Sequence, residues 1–273
     1  MKPIIILGDT GFIGSAFVRY LSESNRKLVA VNRRRILEVD NFKIREHPRL
    51  SQNISEDIQP FVSKSDLVIN TVWGRNNRKD RDSEIHQQYA HAEIRLIESL
   101  ENTGCRYISF GSIAEINDDK ISPSHKSEYS TAKKEVASYL TSSKLMSLWL
   151  RIASVYGPGD NRDWFLTRLS SSLQTEEVIV LENPIQQINL CHIDSLVKTT
   201  LDLFEKKVSG TFNITTNQWI TIGALKQCFS DLVEPDYQER LRGYFSQNDS
   251  EGLHVDTPPI SDFFRKLGNP QRS

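Results

Sequence analysis

The chain has 273 residues, 38% of them hydrophobic, and its 34 Lys+Arg nearly balance 35 Asp+Glu, leaving a formal net charge of -1. That composition excludes a disordered chain, and the balance gives no reason to expect a nucleic-acid partner. No run of roughly 18 apolar residues offers a membrane span, and the start, MKPIIILGDT, has no cleavable secretory pattern. Cys105, Cys191 and Cys228 form neither a disulfide framework nor a metal-ligand spacing, so no metal is expected. A reduced cytoplasmic enzyme is the expected class, with one large core or a core plus a small lobe.

Residues 3–8, PIIILG, are a short apolar run of the kind a buried parallel strand requires. Phe12 to Leu21 then presents an apolar helical face through Ile13, Phe17, Val18 and Leu21. Leu28–Val31 and Asp66–Val72 read as further strands. From Ser83 to Asn102, helical spacing recurs at Ile85, Tyr89, Ala92, Leu96, Ile97 and Leu100 before a strand at Arg106–Phe110. A helix over 128–142 and a strand over 148–153 continue the pattern. Beyond Gly157 the pattern loosens. A helix is expected to begin within 160–174, with a strand candidate at Val178–Leu181, a helix over 194–205, a strand over 210–214 and a helix over 221–232. Such alternation predicts an α/β fold, a doubly wound Rossmann parallel sheet covered on both faces, with a small α/β lobe built from late segments.

The sharpest early signal is Gly8-Asp9-Thr10-Gly11-Phe12-Ile13-Gly14. Three glycines between a buried strand and an apolar helix allow a tight turn, close phosphate approach and close helix packing, with the positive helix end beneath a pyrophosphate. The spacing is G-x-x-G-x-x-G rather than G-x-G-x-x-G, so the strand-to-helix context carries the reading. At the end of the second strand an NAD site needs an acid for the adenosine ribose. Asn32 stands there instead, followed by Arg33 and Arg34, which suit a 2'-phosphate. NADP is therefore expected over NAD, against the plainer reading of a solvated basic loop.

Tyr129 and Lys133 lie four residues apart on the same helical face. There Lys133 can favour the tyrosinate and make Tyr129 a general acid or base, while Ser112 can donate to a carbonyl oxygen. Together with GDTGFIG, VYGPGD at 155–160 and HIDSLV at 192–197, this arrangement resembles the extended short-chain dehydrogenase/reductase family, in its nucleotide-sugar epimerase, dehydratase and reductase branch. The resemblance implies catalytic roles for Ser112, Tyr129 and Lys133. It implies cofactor contacts at Gly8, Thr10, Gly11, Phe12, Ile13, Gly14, Asn32, Arg33, Arg34, Asn53, Ile54, Thr71, Tyr129 and Lys133. Asn53-Ile54 resembles the family's acidic-apolar pair near the adenine, with asparagine for aspartate. Trp73 stands where the family more usually has a small residue. The implied partition is an NADP-binding core over 1–155 and 191–215, and a substrate lobe over 156–190 and 216–273. At 273 residues the chain is somewhat shorter than many members, and its final SDFFRKLGNPQRS is expected to stop just after a late helix, leaving the economy to fall on the substrate lobe.

Family dehydratases follow the catalytic hydroxyl with Asp-Glu; here Ile113-Ala114 follows, and Glu115 lies one position too late. The favoured expectation is NADPH-dependent reduction of the 4-keto group of a nucleotide-linked 6-deoxyhexose. The alternatives are an NAD(P)-dependent nucleotide-sugar epimerase and a non-catalytic NADP(H)-binding regulatory protein. Trp73, Ser112, Arg162 and Trp164 are the substrate candidates, although a solvated arginine and a packed tryptophan are equally ordinary readings of the last two. Arg75, Arg78, Lys79 and Arg81 form a basic loop blunted by Asp80, Asp82 and Glu84. Cys191, His192 and Asp194 invite a hydrolase or metal reading, but a structural role is favoured, as it is for Tyr156. The expected partner is a nucleotide sugar, with no nucleic acid and no membrane, and a homodimer is the family-level oligomer.

Overall fold

The computed structural model describes residues 2–24, 26–40, 43–48, 54–63, 65–74, 80–116, 127–160, 166, 168–169, 180–181, 183–216, 219–231 and 253–254. The chain divides into two compact units, Met1–Ile152 with Leu201–Asn213, and Ala153–Thr200 with Ile214–Ser273.

In the first unit the apolar runs become β1 (Ile4–Leu7), β2 (Leu28–Val31) and β5 (Leu67–Asn70), buried at every position. β6 (Arg106–Ser112) and β7 (Ser147–Ile152) extend the parallel part of the sheet. β1 pairs in parallel with β2 and β5, β5 with β6, and β6 with β7. This is the sheet that the strand–helix alternation predicts: a strand buried on both faces needs no polar alternation. Helices α1 (Phe12–Glu23), α2 (Ile54–Val62), α3 (Ile85–Leu100) and α4 (Glu128–Ser142) connect the strands. α3 and α4 pack together, with Ala90, Leu96, Ile97, Ala132, Val136 and Leu140 in one core with Tyr107 and Trp149 of the sheet.

One departure from simple alternation bears on function. β2 is followed by two antiparallel strands, β3 (Arg35–Asp40) and β4 (Lys43–Pro48), before α2. The β2–β3 register sets Val31 opposite Ile36, so the chain reverses across Asn32 to Arg35 as a tight hairpin.

The second unit holds β8 (Ser154–Tyr156), β9 (Gln187–His192) and β11 (Trp219–Thr221) in a three-stranded sheet of order β11-β9-β8. α5 (Ile193–Glu205) and β10 (Gly210–Thr215) run across the division between units, and α6 (Ile222–Asp231) follows β11. Ile214 and Thr215 pair in parallel with β12 (Leu253–His254). Of the strand expected at Val178–Leu181, Val180 and Leu181 carry no regular structure and Val180 is exposed rather than packed, while 178 and 179 lie outside the described residues. Among the described residues no helix is long and apolar enough to cross a membrane.

Candidate functional site

The glycine turn is built by close approach. Gly8 has φ +88, a conformation costly for other residues, and its N–H donates to Val31 O at 2.7 Å. A Cβ on Gly14 would lie 2.1 Å from Gly8 O, so helix and turn touch through backbone. Thr71 locks this arrangement: its Oγ1 donates to Leu7 O at 2.7 Å. Gly11 caps α1 in an extended conformation with no side-chain cap bond, and the first turn carries no acid. The leading N–H groups of α1 thus keep a positive end of the kind that suits a pyrophosphate. Thr10 is exposed, while Phe12 and Ile13 are half-buried. Asp9 is 9% exposed; its Oδ2 accepts from Asn32 Nδ2 at 3.3 Å, and its buried Oδ1 has no hydrogen-bond partner among the described residues. A backbone cradle that a Cβ would fill, beside a buried carboxylate oxygen awaiting a donor, fits a dinucleotide with a ribose hydroxyl to give.

Asn32 closes the hairpin. Its N–H donates to Arg35 O at 3.1 Å, and its Oδ1 accepts from Arg34 N at 2.8 Å and Arg35 N at 3.1 Å. Arg33 and Arg34 are the exposed tip of this hairpin.

The second half of the site lies at the ends of β5 and β6 and the start of α4. Ser127 caps α4, accepting from Ser130 N at 3.2 Å, and places Tyr129 in the first turn. Lys133, one turn on, is 4% exposed; its Nζ donates to Phe110 O at 2.7 Å and lies 3.5 Å from the centroid of the Trp73 ring. Burial lowers its pKa to about 8, with the Glu93 and Glu115 carboxylates opposing the shift. The indole face adds a cation–π attraction of about 2 kcal/mol at such a desolvated site. Trp73 also meets the Tyr129 ring edge-on, with centroids 6.1 Å apart. The structure therefore brings Trp73, Tyr129 and Lys133 together.

His86, which belongs to no sequence motif, is fully buried. Its ring lies 5.2 Å from that of Tyr129, its Nδ1 accepts from Trp73 Nε1 at 3.2 Å, and its Nε2 faces Asp80 O at 2.9 Å. That pattern requires a neutral imidazole with Nε2–H donating. Burial foremost, with Lys133 and Arg81 nearby, holds its pKa below the usual histidine value against the opposing bond to Asp80. Arg81 lies 5.4 Å from the Tyr129 ring centroid, and its carbonyl accepts from Tyr129 N at 2.9 Å.

Ser112 ends β6. Its N–H donates to Glu115 Oε1 at 2.6 Å and its Oγ accepts from Ala114 N at 3.2 Å. Glu115 Oε2 accepts from Trp149 Nε1 at 3.1 Å and Arg151 Nε at 2.7 Å, and the Glu115 side chain is 0% exposed. Turned inward and bonded at both oxygens, Glu115 serves as the floor beneath Ser112. Gly111 makes room for it, since a Cβ there would lie 2.2 Å from Glu115 Oε1. Glu93 of α3, buried likewise, accepts from Tyr107 Oη at 2.8 Å and from Ser109 Oγ. His86, Glu93 and the inward role of Glu115 carry no short motif, and only unusual polarity at core-facing positions could have flagged them; Asp9 sits inside the glycine motif, where its acidity is the signal.

Other candidates lie elsewhere. Ile54 opens α2 and packs on the first unit's core. In the second unit Tyr156 and His192 meet edge-on at 5.3 Å, and His192 Nδ1 accepts from Asp194 N at 3.2 Å. Burial pushes the Cys191 thiol up to about 12, leaving it unreactive. Asn53, Arg75, Arg78, Lys79, Arg162 and Trp164 lie outside the described residues.

No curated protein sequence matches the chain. Among solved structures it is similar to UDP-N-acetylglucosamine 4-epimerase from Bacillus cereus (TM-score 0.74, 17% identity, covering 100% of this chain and 97% of that one). It is similar to MoeE5 in complex with UDP-glucose and NAD (TM-score 0.72, 20% identity, covering 99% of each). A third likeness is to the Bordetella bronchiseptica enzyme WbmH in complex with NAD+ (TM-score 0.66, 17% identity, covering 96% of this chain and 91% of that one). The expectation of NADP is corrected by these findings: the matched MoeE5 and WbmH complexes hold NAD. The physical reason lies in the β2–β3 hairpin. It turns Arg33 and Arg34 into an exposed tip and leaves the Asp9 carboxylate, not a basic pocket, beside the end of β2. Residues 4–215 match the pattern of the NAD dependent epimerase/dehydratase family, and the chain belongs to that family.

Proposed function

We propose that this protein is an NAD-dependent epimerase acting on the sugar of a nucleotide sugar. The observation that carries the reading is the Tyr129–Lys133 pair on one face of α4, its ammonium sealed beneath Trp73 beside a glycine turn that fits a dinucleotide. The likeness to a UDP-N-acetylglucosamine 4-epimerase supports the reaction class. Arg33 and Arg34, the expected contacts of an NADPH consumed by net reduction, stand at the exposed hairpin tip, which favours epimerisation over reduction.

NAD, when bound, supplies the hydride acceptor and donor at the sugar carbon. Gly8, Gly11, Gly14 and the start of α1 would hold its pyrophosphate. Tyr129 Oη takes the proton from the sugar hydroxyl and gives it back. The Lys133 ammonium favours the tyrosinate that this exchange requires, and the Trp73 face and Phe110 carbonyl keep the ammonium in place. Ser112 Oγ, already accepting from Ala114 N, donates its own hydrogen to the sugar oxygen. Ile113-Ala114 supplies no acid for an elimination at that position.

The test is incubation of the purified protein with NAD and a panel of UDP- and dTDP-hexoses and, in parallel, with NADH and the corresponding 4-keto-6-deoxyhexoses, with products resolved by chromatography and NMR. Interconversion of two epimers without net nicotinamide turnover is the expected result. Stoichiometric NADH consumption on a 4-keto sugar would replace the reading by reduction, and no conversion across the panel would sink it.

A further inference from the structure

A dinucleotide fold places an acid at the end of its second strand to accept from the adenosine ribose hydroxyls. In this chain that strand end is Asn32-Arg33-Arg34-Arg35, with no acid. A carboxylate is nonetheless there, supplied from another segment. Asp9, the second residue of the glycine turn, is 9% exposed, and its N–H donates to Val31 O at 3.4 Å, which ties it to the last residue of β2. Its Oδ2 accepts from Asn32 Nδ2 at 3.3 Å, while Oδ1 is buried without a protein partner among the described residues. Asn32 therefore works in two directions: its amide N–H steadies Asp9, and its carbonyl oxygen caps the backbone of the hairpin. A buried carboxylate oxygen lacking a donor is rare enough in folded proteins to require an account.

We propose that Asp9 is the acid that reads the adenosine ribose, moved from the strand end to the glycine turn and steered there by Asn32. It thereby selects nicotinamide dinucleotides with a free 2'-hydroxyl over those with a 2'-phosphate. A hydroxyl satisfies the waiting oxygen by donating to it. A phosphate in the same place has no hydrogen to give at neutral pH and sets like charge against like. The proximity of Arg33 and Arg34 in the sequence then misleads, because the hairpin carries them to an exposed tip. This inference rests on the dinucleotide site of the proposed function but is independent of its sugar chemistry.

The experiment is calorimetric titration of the full chain, without sugar, with NAD+, NADP+ and 2'-deoxy-NAD+. The wild type is expected to bind NAD+ at least tenfold more tightly than either of the others. Asp9→Asn should weaken NAD+ binding about tenfold, bind NADP+ no worse than the wild type does, and bind NAD+ and 2'-deoxy-NAD+ alike, with its cooperative melting retained. An unchanged NAD+/NADP+ ratio in Asp9→Asn, or a 2'-deoxy penalty that persists there, overturns the assignment. If that variant does not fold, the wild type decides alone: equal affinity for the three ligands overturns the proposal. A wild type that binds none of them overturns both this inference and the dinucleotide reading. One that shows the expected discrimination but epimerises no sugar overturns only the proposed reaction.

Discussion

The two halves of the first unit's site are built from opposite materials. The turn between β1 and α1 is made of backbone: glycines at van der Waals limits, a free helix end, and one threonine hydroxyl holding the approach. The pocket beneath α4 is made of bulk and charge. Trp73, His86 and Trp149 surround a buried ammonium, and two buried carboxylates, Glu93 and Glu115, lie behind it. Backbone suits a ligand group that every dinucleotide shares, because peptide N–H groups recognise phosphate without regard to the rest. Proton transfer requires a tuned group, and only side chains brought from distant segments can tune one.

The comparison predicts different failures. The largest should follow Gly14→Ala, whose Cβ meets a backbone carbonyl that cannot yield. We expect a stability loss of about 3 kcal/mol or more and no measurable NAD binding, and a normal melting temperature with normal binding would break the contrast. Tyr129→Phe should lower kcat by about 10²–10⁴ while NAD affinity stays within about twofold in the same titration. Equal loss of both, without unfolding, would count against its acid–base role. Glu115→Ala leaves Arg151 and the Ser112 and Trp149 N–H groups without their acceptor. Denaturant melts should show a cost of about 3 kcal/mol, smaller for Glu115→Gln, which keeps one acceptor oxygen.

A gentler probe is pH. Turnover should fall about tenfold per pH unit above the Lys133 pKa of about 8 as the ammonium is lost. Stability should move the other way. Between pH 8 and the ordinary lysine value of 10.5 the unfolded chain keeps a proton that the folded chain has released, so Lys133 contributes rising stability across that window. Lys133→Met should flatten that rise in melts recorded against pH. The smallest effect is assigned to Arg33→Ala and Arg34→Ala, exposed at the hairpin tip. Stability within about 0.5 kcal/mol and NAD affinity within about twofold are expected, and a tenfold loss of NAD affinity would restore them to the site.

What the sequence makes legible follows the same division. PIIILG followed by spaced glycines and an apolar helix reads directly, because turn, helix end and phosphate contact are neighbours in the chain. Tyr129 and Lys133 read almost as directly, being one helical turn apart. The β2–β3–β4 meander is announced only by Arg35-Ile36-Leu37-Glu38-Val39-Asp40, whose β-branched and apolar residues favour a strand. Without that strand Arg33 and Arg34 have the pattern of a binding loop; with it they are a hairpin tip. His86, Glu93 and Glu115 meet the Tyr129–Lys133 pair only after the sheet and α3 have assembled, so no local spacing announces them. Trp73 stood out by its size, but its seat on the lysine is a property of the fold.

Thr71 illustrates how tightly the backbone half is interlocked. Its hydroxyl lies 2.7 Å from where a Cβ would stand on Gly8, and equally close to that of Gly14. Neither glycine can accept a side chain while the hydroxyl remains, and losing the hydroxyl frees the β1 carbonyl it holds. Changing Thr71 would free neither glycine, because Gly8 keeps its φ of +88 and a Cβ on Gly14 would still meet Gly8 O. A saturation scan should find no tolerated replacement at either glycine and Ser the one well-tolerated replacement at Thr71.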